Sequence, residues 1–282
     1  MRKAGLAFAH GTTDPVAEAA FLVGETLGLH PDRVEAHTGG RVTAGQRRRL
    51  AALVRQRIRT RKPSAYLLHR IYMRGVAFFI DERAIVPRSY LGEILDSPEF
   101  AGESFSLIRD RRGIRRILDL CTGSGCLAIL AAMRFPNARV DAADVSQDAL
   151  EVAKKNIATH RLGKRVRLLQ GDLFAPAKGA RYDLIIANPP YVDRAGMRAL
   201  PPECRHEPVL ALDGGPDGLA VVRRIVEQAG SHLTANGGLL CEVGRGRKAL
   251  ERAYPRLRFL WLDTEESSGE VFWLDAGALG RR

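Results

Sequence analysis

Apolar and polar positions change rhythm twice along the chain. The first stretch keeps a helical period. Val16, Ala20, Val23 and Leu27 recur at the spacing of one helix face, Asp14-Pro15 supplies a cap with a first-turn proline, and Gly28 supplies a stop. Leu50, Leu53, Val54 and Ile58 predict a second helix over 43–59, with Arg48, Arg55 and Arg59 off its apolar stripe, ended by Lys62-Pro63. The rhythm then shortens. The runs 76–80 and 84–86, flanking the polar pair Asp81-Glu82, predict a hairpin within 71–87.

From Ile114 onward strand-like and helix-like segments alternate. Strands are predicted over 116–120, 139–144, 166–170, 182–187, 238–243, 258–262 and 270–274, with helices over 126–134, 148–160 and 218–233. Repeated β-α-β units imply a mostly parallel sheet with helices on both faces. The chain divides on this reading into a helical domain, residues 1–70, a linking hairpin, 71–87, and an α/β domain, 88–282.

Composition narrows the classes. A chain of 282 residues with 45% hydrophobic and 27% charged residues is ordinary globular protein, so disordered and collagen-like classes are excluded. No apolar run reaches the roughly 18–20 residues that cross a bilayer, and residues 1–13 hold no apolar signal core, so the expected location is the cytoplasm. Cys121, Cys126, Cys204 and Cys241 form no CxxC pair and sit in no His-rich spacing, which supports neither zinc nor disulfides. No metal is expected.

Charge is unevenly placed. The net +12 is carried almost entirely by residues 41–80, which hold 11 basic residues and no acidic one. Arg47, Arg48, Arg49, Arg55, Arg57, Arg59, Arg61, Lys62, Arg70 and Arg74 are expected to form a cationic face for a polyanionic neighbour. No aromatic residues interleave with them in a base-stacking pattern, so sequence reading of RNA is not expected.

Candidate chemistry gathers at strand ends. Asp119-Leu-Cys-Thr-Gly123-Ser-Gly125 lies where the first strand turns into the first helix, and Asp144 ends the next strand. Glycines there allow close backbone approach, a helix start offers free N–H groups, and the carboxylate of Asp144 can accept from ribose hydroxyls. Gly123, Gly125 and Ala128 also satisfy a loose dinucleotide pattern. Asp119 discriminates: a carboxylate at the strand tip would repel a pyrophosphate but can receive an ammonium cation. That favours S-adenosylmethionine over NAD. Asp172, after the third strand, is placed to accept from an adenine amine.

Asn188-Pro189-Pro190-Tyr191, at the tip of the fourth strand, is the most specific feature. A planar amide or amine nitrogen is a poor nucleophile because its lone pair is delocalised. The Asn188 side-chain oxygen and the Pro189 carbonyl can hold its two hydrogens and stabilise positive charge as it develops. Proline withholds an N–H, and Tyr191 can pack on a planar group.

With these motifs the sequence resembles the class I S-adenosylmethionine-dependent methyltransferases that modify the side-chain amide of glutamine. The resemblance spans roughly 41–274: DLCTGSGCL at 119–127, GDLF at 171–174, NPPY at 188–191, LP at 200–201, HEP at 206–208, DGL at 217–219, PSAYL at 63–67, Gly75 and DERAIVPRS at 81–89. The release-factor group typically reads Pro-Arg-Pro-x-Thr-Glu where this chain has Pro87-Arg88-Ser89-Tyr90-Leu91-Gly92-Glu93, which favours the group acting on a large-subunit ribosomal protein. Tyr90 and Ala84 depart from that group's usual residues.

The resemblance implies an α/β, Rossmann-like, seven-stranded, mostly parallel sheet and N5-methylation of a glutamine. It implies cofactor contacts at Asp119, Thr122, Gly123, Ser124, Gly125, Asp144, Val145, Asp172, Leu173 and Asn188. Asn188, Pro189, Pro190 and Tyr191 hold the target amide, and S-adenosylhomocysteine is the by-product. The implied partner is a large-subunit ribosomal protein or its assembly intermediate, with non-specific ribosomal RNA contact through 41–80 and no membrane. Alternatives are a release-factor glutamine methyltransferase, an adenine or guanine amino-methyltransferase, and a non-catalytic assembly factor.

Overall fold

The structure is a computed structural model that describes residues 1–8, 10–12, 14–102 and 106–280. It separates into two compact units, Met1–Arg88 with Leu200–Pro208, and Ser89–Ala199 with Val209–Arg282.

The first unit holds helices α1 (Pro15–Leu27), α2 (Pro31–Val34), α3 (Ala44–Thr60) and α4 (Ser64–Leu68), then strands β1 (Ile71–Met73) and β2 (Val76–Phe78). The caps form as their residues dictate. Asp14 accepts from the amides of Val16 and Ala17, Gly28 closes α1 at φ 70°, and Thr43 with Gln46 makes a capping box on α3.

The predicted stripes are corrected. Val16 is 65% exposed and Ile58 38%, whereas α1 buries Glu18, Leu22, Gly24 and Thr26 and α3 buries Arg57. The reason is a buried ion pair. The Arg57 guanidinium donates to Glu18 at 2.7 Å and to the carbonyls of Ala7 and Arg61 at 2.9 Å, and Ser64 donates its hydroxyl to Glu18. Charges so satisfied can occupy positions that a hydrophobic pattern assigns to leucine. The hairpin is also corrected. It pairs 71–73 with 76–78 around Arg74 and Gly75, both at positive φ (50° and 73°), and 84–86 form no strand. Two consecutive left-handed residues make the tight turn whose twist suits a two-stranded ribbon.

The cationic run is corrected in part. Arg57 is internal with Glu18, Arg61 pairs with Glu203, Lys62 with Glu82 and Arg70 with Glu25. Arg47, Arg48, Arg49, Arg55 and Arg59 on α3 are exposed and have no ion pair among the described residues.

The second unit is built on a seven-stranded sheet. Its elements are α5 (Leu91–Asp96), β3 (Arg116–Leu120), α6 (Cys126–Arg134), β4 (Arg139–Asp144), α7 (Gln147–Thr159), β5 (Val166–Gln170), β6 (Tyr182–Ala187), α8 (Arg194–Ala199), α9 (Ala220–His232), β7 (Leu233–Glu242), α10 (Arg247–Ala253), β8 (Leu260–Leu262), β9 (Val271–Asp275) and α11 (Ala276–Gly280). Strand order is β5-β4-β3-β6-β7-β9-β8, with β9 antiparallel to both of its neighbours. Unbroken apolar runs such as 184–187 are buried on both faces, as a parallel sheet requires. Val222, Ile225, Val226 and Ala229 give α9 one buried stripe.

Candidate active site

Strand register assembles the site. Leu120 pairs with Ala143 and with Ala187, Ala143 with Leu169, and Ala187 with Cys241. One residue further on, Gln170, Asp144 and Glu242 end their strands and Cys121 and Asn188 directly follow theirs, at one level of five neighbouring parallel strands. Chain order reverses between β3 and β6, because β4 and β5 follow β3 on one side while β6 and β7 lie on the other. Ligands of open α/β sheets bind at the carboxyl ends of the strands where such a reversal opens a crevice.

The β3–α6 turn is the glycine-rich half. Cys121, Gly123 and Gly125 adopt positive φ of 56°, 56° and 80°, a concentration of left-handed backbone in five residues. A Cβ on Gly123 would meet nothing within 4 Å, so the backbone there faces open space. A Cβ on Gly125 would come within 3.0 Å of Ala153, so glycine there lets α7 pack against the start of α6. Ser124 turns inward: its hydroxyl lies 3.2 Å from the Cys126 thiol, and its carbonyl accepts from Asn156.

Asp119 is fully buried. Its Oδ2 accepts from the Thr122 hydroxyl at 2.5 Å, while Oδ1 is buried with no hydrogen-bond partner among the described residues. Burial pushes its carboxyl up to about 7. Asp144 accepts from the amides of Gly123 (2.8 Å) and Ser146 (2.9 Å), and burial also raises its pKa. Each carboxylate oxygen has two lone pairs, so Asp144 retains acceptor capacity. Val145 beside it is 50% exposed. Asp172 is on the surface, where Arg224 of α9 donates to its Oδ2 at 2.6 Å. Leu173, buried at φ 49°, anchors the following turn.

Asn188 is half-buried, and no group among the described residues hydrogen-bonds its side chain. Pro189 is buried and Pro190 half-buried. The Tyr191 ring lies on Gly244, where a Cβ would come within 2.7 Å of Cδ2 and Cε2, and its hydroxyl donates to Glu242 at 2.9 Å. Glu242 is the residue that sequence reading missed. It ends β7 fully buried and accepts also from the Ser89 hydroxyl (2.7 Å) and the Tyr90 amide (3.1 Å). Burial pushes its carboxyl up to about 7, with Glu270 adding to the shift. A glutamate closing the apolar run of 239–241 was the available signal.

A doubly wound sheet with one reversed strand, β9, next to its edge, a glycine-rich first turn and an acidic residue at the next strand end defines a class I methyltransferase. The Methyltransferase small domain family matches residues 106–200. A methyltransferase crystal structure from Pyrococcus furiosus shares the fold at 17% identity and TM-score 0.52, covering 81% of this chain and 97% of that one. Among curated proteins, the ribosomal protein uL3 glutamine methyltransferase of Bradyrhizobium diazoefficiens is 63% identical over 98% of this chain and 87% of its own length. That of Bordetella pertussis is 46% identical over 97% and 90%. The chain belongs to the family of ribosomal protein uL3 glutamine methyltransferases. No helix among the described residues is long and apolar enough to cross a membrane.

Proposed function

We propose that the chain transfers a methyl group from S-adenosylmethionine to the side-chain amide nitrogen, N5, of a glutamine in ribosomal protein uL3. One observation carries the reading. In a chain of this family, Asn188-Pro189-Pro190-Tyr191 stands at the switch point of the sheet, with the Asn188 side chain engaged by no described protein group.

The residues present fit the cofactor. The orphaned, buried Oδ1 of Asp119 suits its ammonium, and the open face of Gly123 admits it closely. Asp144 would accept from the ribose hydroxyls, and exposed Val145 would lie against the adenine. Asp172, whose Oδ1 Arg224 does not engage, would accept from the adenine amine. Thr122, Ser124, Gly125 and Leu173 hold the turns that carry these groups. When bound, S-adenosylmethionine supplies an electrophilic sulfonium methyl and departs as S-adenosylhomocysteine.

The chain's own part is positioning. The Asn188 side-chain oxygen and the Pro189 carbonyl accept the two amide hydrogens, which weakens delocalisation of the lone pair and stabilises the charge that develops. Pro190 adds no donor to compete, and the Tyr191 ring borders the amide plane. The surplus proton leaves the methylated nitrogen to solvent, so no strong base is needed. Residues 1–70 recognise the acceptor, 71–87 link, and 88–282 carry the transfer. The exposed arginines of α3 touch ribosomal RNA when the acceptor sits in an assembly intermediate. Such an acceptor suits a cytoplasmic enzyme.

The test is mass spectrometry of uL3 incubated with the chain and cofactor. A one-methyl gain on a single glutamine is expected. Asn188→Ala should lower turnover by two to three orders of magnitude, about the loss of a dedicated transition-state group, with cofactor affinity held within a few-fold. Near-normal turnover overturns the role of Asn188, and methylation of a release factor in place of uL3 overturns the acceptor.

A further inference from the structure

Glu242 is an expensive residue where it stands. A fully buried carboxylate loses its hydration, and among the described residues no lysine or arginine forms an ion pair with it. Three neutral donors replace the water. Oε1 takes the Tyr191 hydroxyl, and Oε2 takes the Ser89 hydroxyl and the Tyr90 amide. Ser89 is fixed in turn, because its oxygen accepts from the Leu91 amide at the start of α5. The Tyr191 ring rests on Gly244, and its backbone is crowded by Gly214 and Gly218, where a Cβ would come within 2.7 and 2.4 Å. These contacts leave the tyrosine one place to stand.

We propose that Glu242 is the positioning residue of the 188–191 loop, clasping Tyr191 to Ser89 and Tyr90 so that the two carbonyl acceptors beside it face the target amide. This rests on the methyl-transfer reading. The carboxylate accepts on both sides, from the Tyr191 hydroxyl at one oxygen and from the Ser89 hydroxyl and the Tyr90 amide at the other. Glutamine keeps the shape, but its N–H₂ can hold Tyr191 only if that hydroxyl turns from donor to acceptor, and the charge-assisted bonds become weaker neutral ones.

The same logic gives the clasp a pH dependence. The titratable groups around Glu242 are Tyr191 from the β6 loop, Tyr90 before α5, Cys241 on β7 and Glu270 before β9. Burial, reinforced by Glu270, places the Glu242 transition at about 7. Above it, both oxygens accept. Below it the carboxyl is neutral, the Tyr191 hydroxyl has to turn from donor to acceptor, and the clasp loosens as its charge-assisted bonds become weaker neutral ones.

The test uses the full chain and the variants Glu242→Gln, Tyr191→Phe, Ser89→Ala and the Glu242→Gln/Tyr191→Phe pair. At saturating cofactor and acceptor, Glu242→Gln and Tyr191→Phe should each lower kcat about tenfold, the pair no further than either alone, and cofactor affinity should stay within about twofold. Wild-type kcat should fall below about pH 7, and that limb should vanish in both single variants. Additive losses, or an unchanged kcat and acid limb, overturn the proposal. If Glu242→Gln does not fold, Tyr191→Phe and Ser89→Ala decide by the same limb. Fluorine NMR of 3-fluorotyrosine-labelled chain needs no acceptor: the Tyr191 resonance should shift with a midpoint near pH 7. A resonance that ignores pH overturns the clasp. A wild-type chain with a pH-responsive Tyr191 that leaves uL3 unmethylated overturns the functional reading alone.

Discussion

Buried carboxylates keep different company in the first unit and at the carboxyl edge of the second unit's sheet, although elsewhere in that sheet Asp141 is paired with Arg167. In the first, each has a cation. Glu18 takes Arg57, Glu203 takes Arg61 at 2.9 Å, and Glu207 takes both Nη groups of Arg88 at 2.7 and 2.8 Å, with His10 at 3.4 Å. The Arg88 guanidinium and His10 hold the Glu207 carboxyl down at about 2 despite its burial. At the carboxyl edge of the sheet in the second unit, Asp119 and Glu242 are equally buried, have only neutral donors among the described residues, and are pushed up to about 7. An acid neutralised from within is a fastening. An acid left without a cation is a cost the fold bears for something outside it, or for an acceptor pattern that no neutral side chain can match.

The sharpest way to separate the two kinds is to remove a cation from the first. Arg57→Ala leaves Glu18 buried without its counter-charge, and the expected loss is about 3–5 kcal/mol of unfolding free energy, read as a lower urea midpoint at unchanged m-value. Replacing both partners, as Glu18→Leu with Arg57→Met, should recover much of it. A loss under about 1 kcal/mol for Arg57→Ala would show that the pair does not decide which face of α1 and α3 is buried.

Asp119→Asn should do the reverse. The unfolding midpoint should hold or rise, since a neutral amide is cheaper to bury, while affinity for S-adenosylmethionine falls about 10- to 100-fold by calorimetry. The pH signs follow. Asp119 rises from 3.8 to about 7 on folding, so the native state holds a proton that the unfolded chain has released. Between those values its contribution to stability falls as pH rises, and Asp119→Asn removes that share of the slope. Glu207 works oppositely: its stabilisation is present above the ordinary carboxylate range and is lost as pH falls toward 2. A bound ammonium draws the proton from Asp119, so cofactor affinity should climb with pH up to about 7, with up to one proton released. Calorimetry in two buffers of different ionisation enthalpy measures it. An unchanged proton count in Asp119→Asn would make Asp119 a fastening after all.

This contrast also explains what could be read from the chain. The strands over 116–120 and 182–187 and the helix over 126–134 stand where the pattern puts them, because largely buried apolar runs and glycine or proline punctuation leave little choice, and the half-buried edge strand over 166–170 stands there too. Asp144 and Asn188 were legible because each ends such a run. The first unit resisted, because Glu18 and Arg57 satisfy one another and reverse the binary pattern on both helices. The hairpin turned at Arg74-Gly75, where only backbone conformation marks it. Glu242 closes the apolar run 239–241 and carried the same signal, but what it does there was not legible, because its partners Ser89 and Tyr191 are distant in sequence and meet it only in the fold.

The smallest expected change in stability concerns the cations left outside the first unit. Arg47, Arg48 and Arg49 on α3 are exposed and lack ion pairs among the described residues, unlike Arg57 and Arg61. Changing all three to Gln should move the unfolding free energy by no more than about 0.5 kcal/mol per site, as surface substitutions do. Methylation of free uL3 should hardly respond. Methylation of a ribosomal assembly intermediate should respond to salt, because each phosphate neutralised by an arginine releases a counterion and adds a little under one to the slope of log affinity against log salt. If the three arginines meet phosphates, the triple variant flattens that slope by up to about three and weakens binding uniformly, without changing which glutamine is modified. An unchanged slope would leave the exposed arginines as a solvated helix face, and the distinction between cations spent inside the first unit and cations kept for a partner would fail.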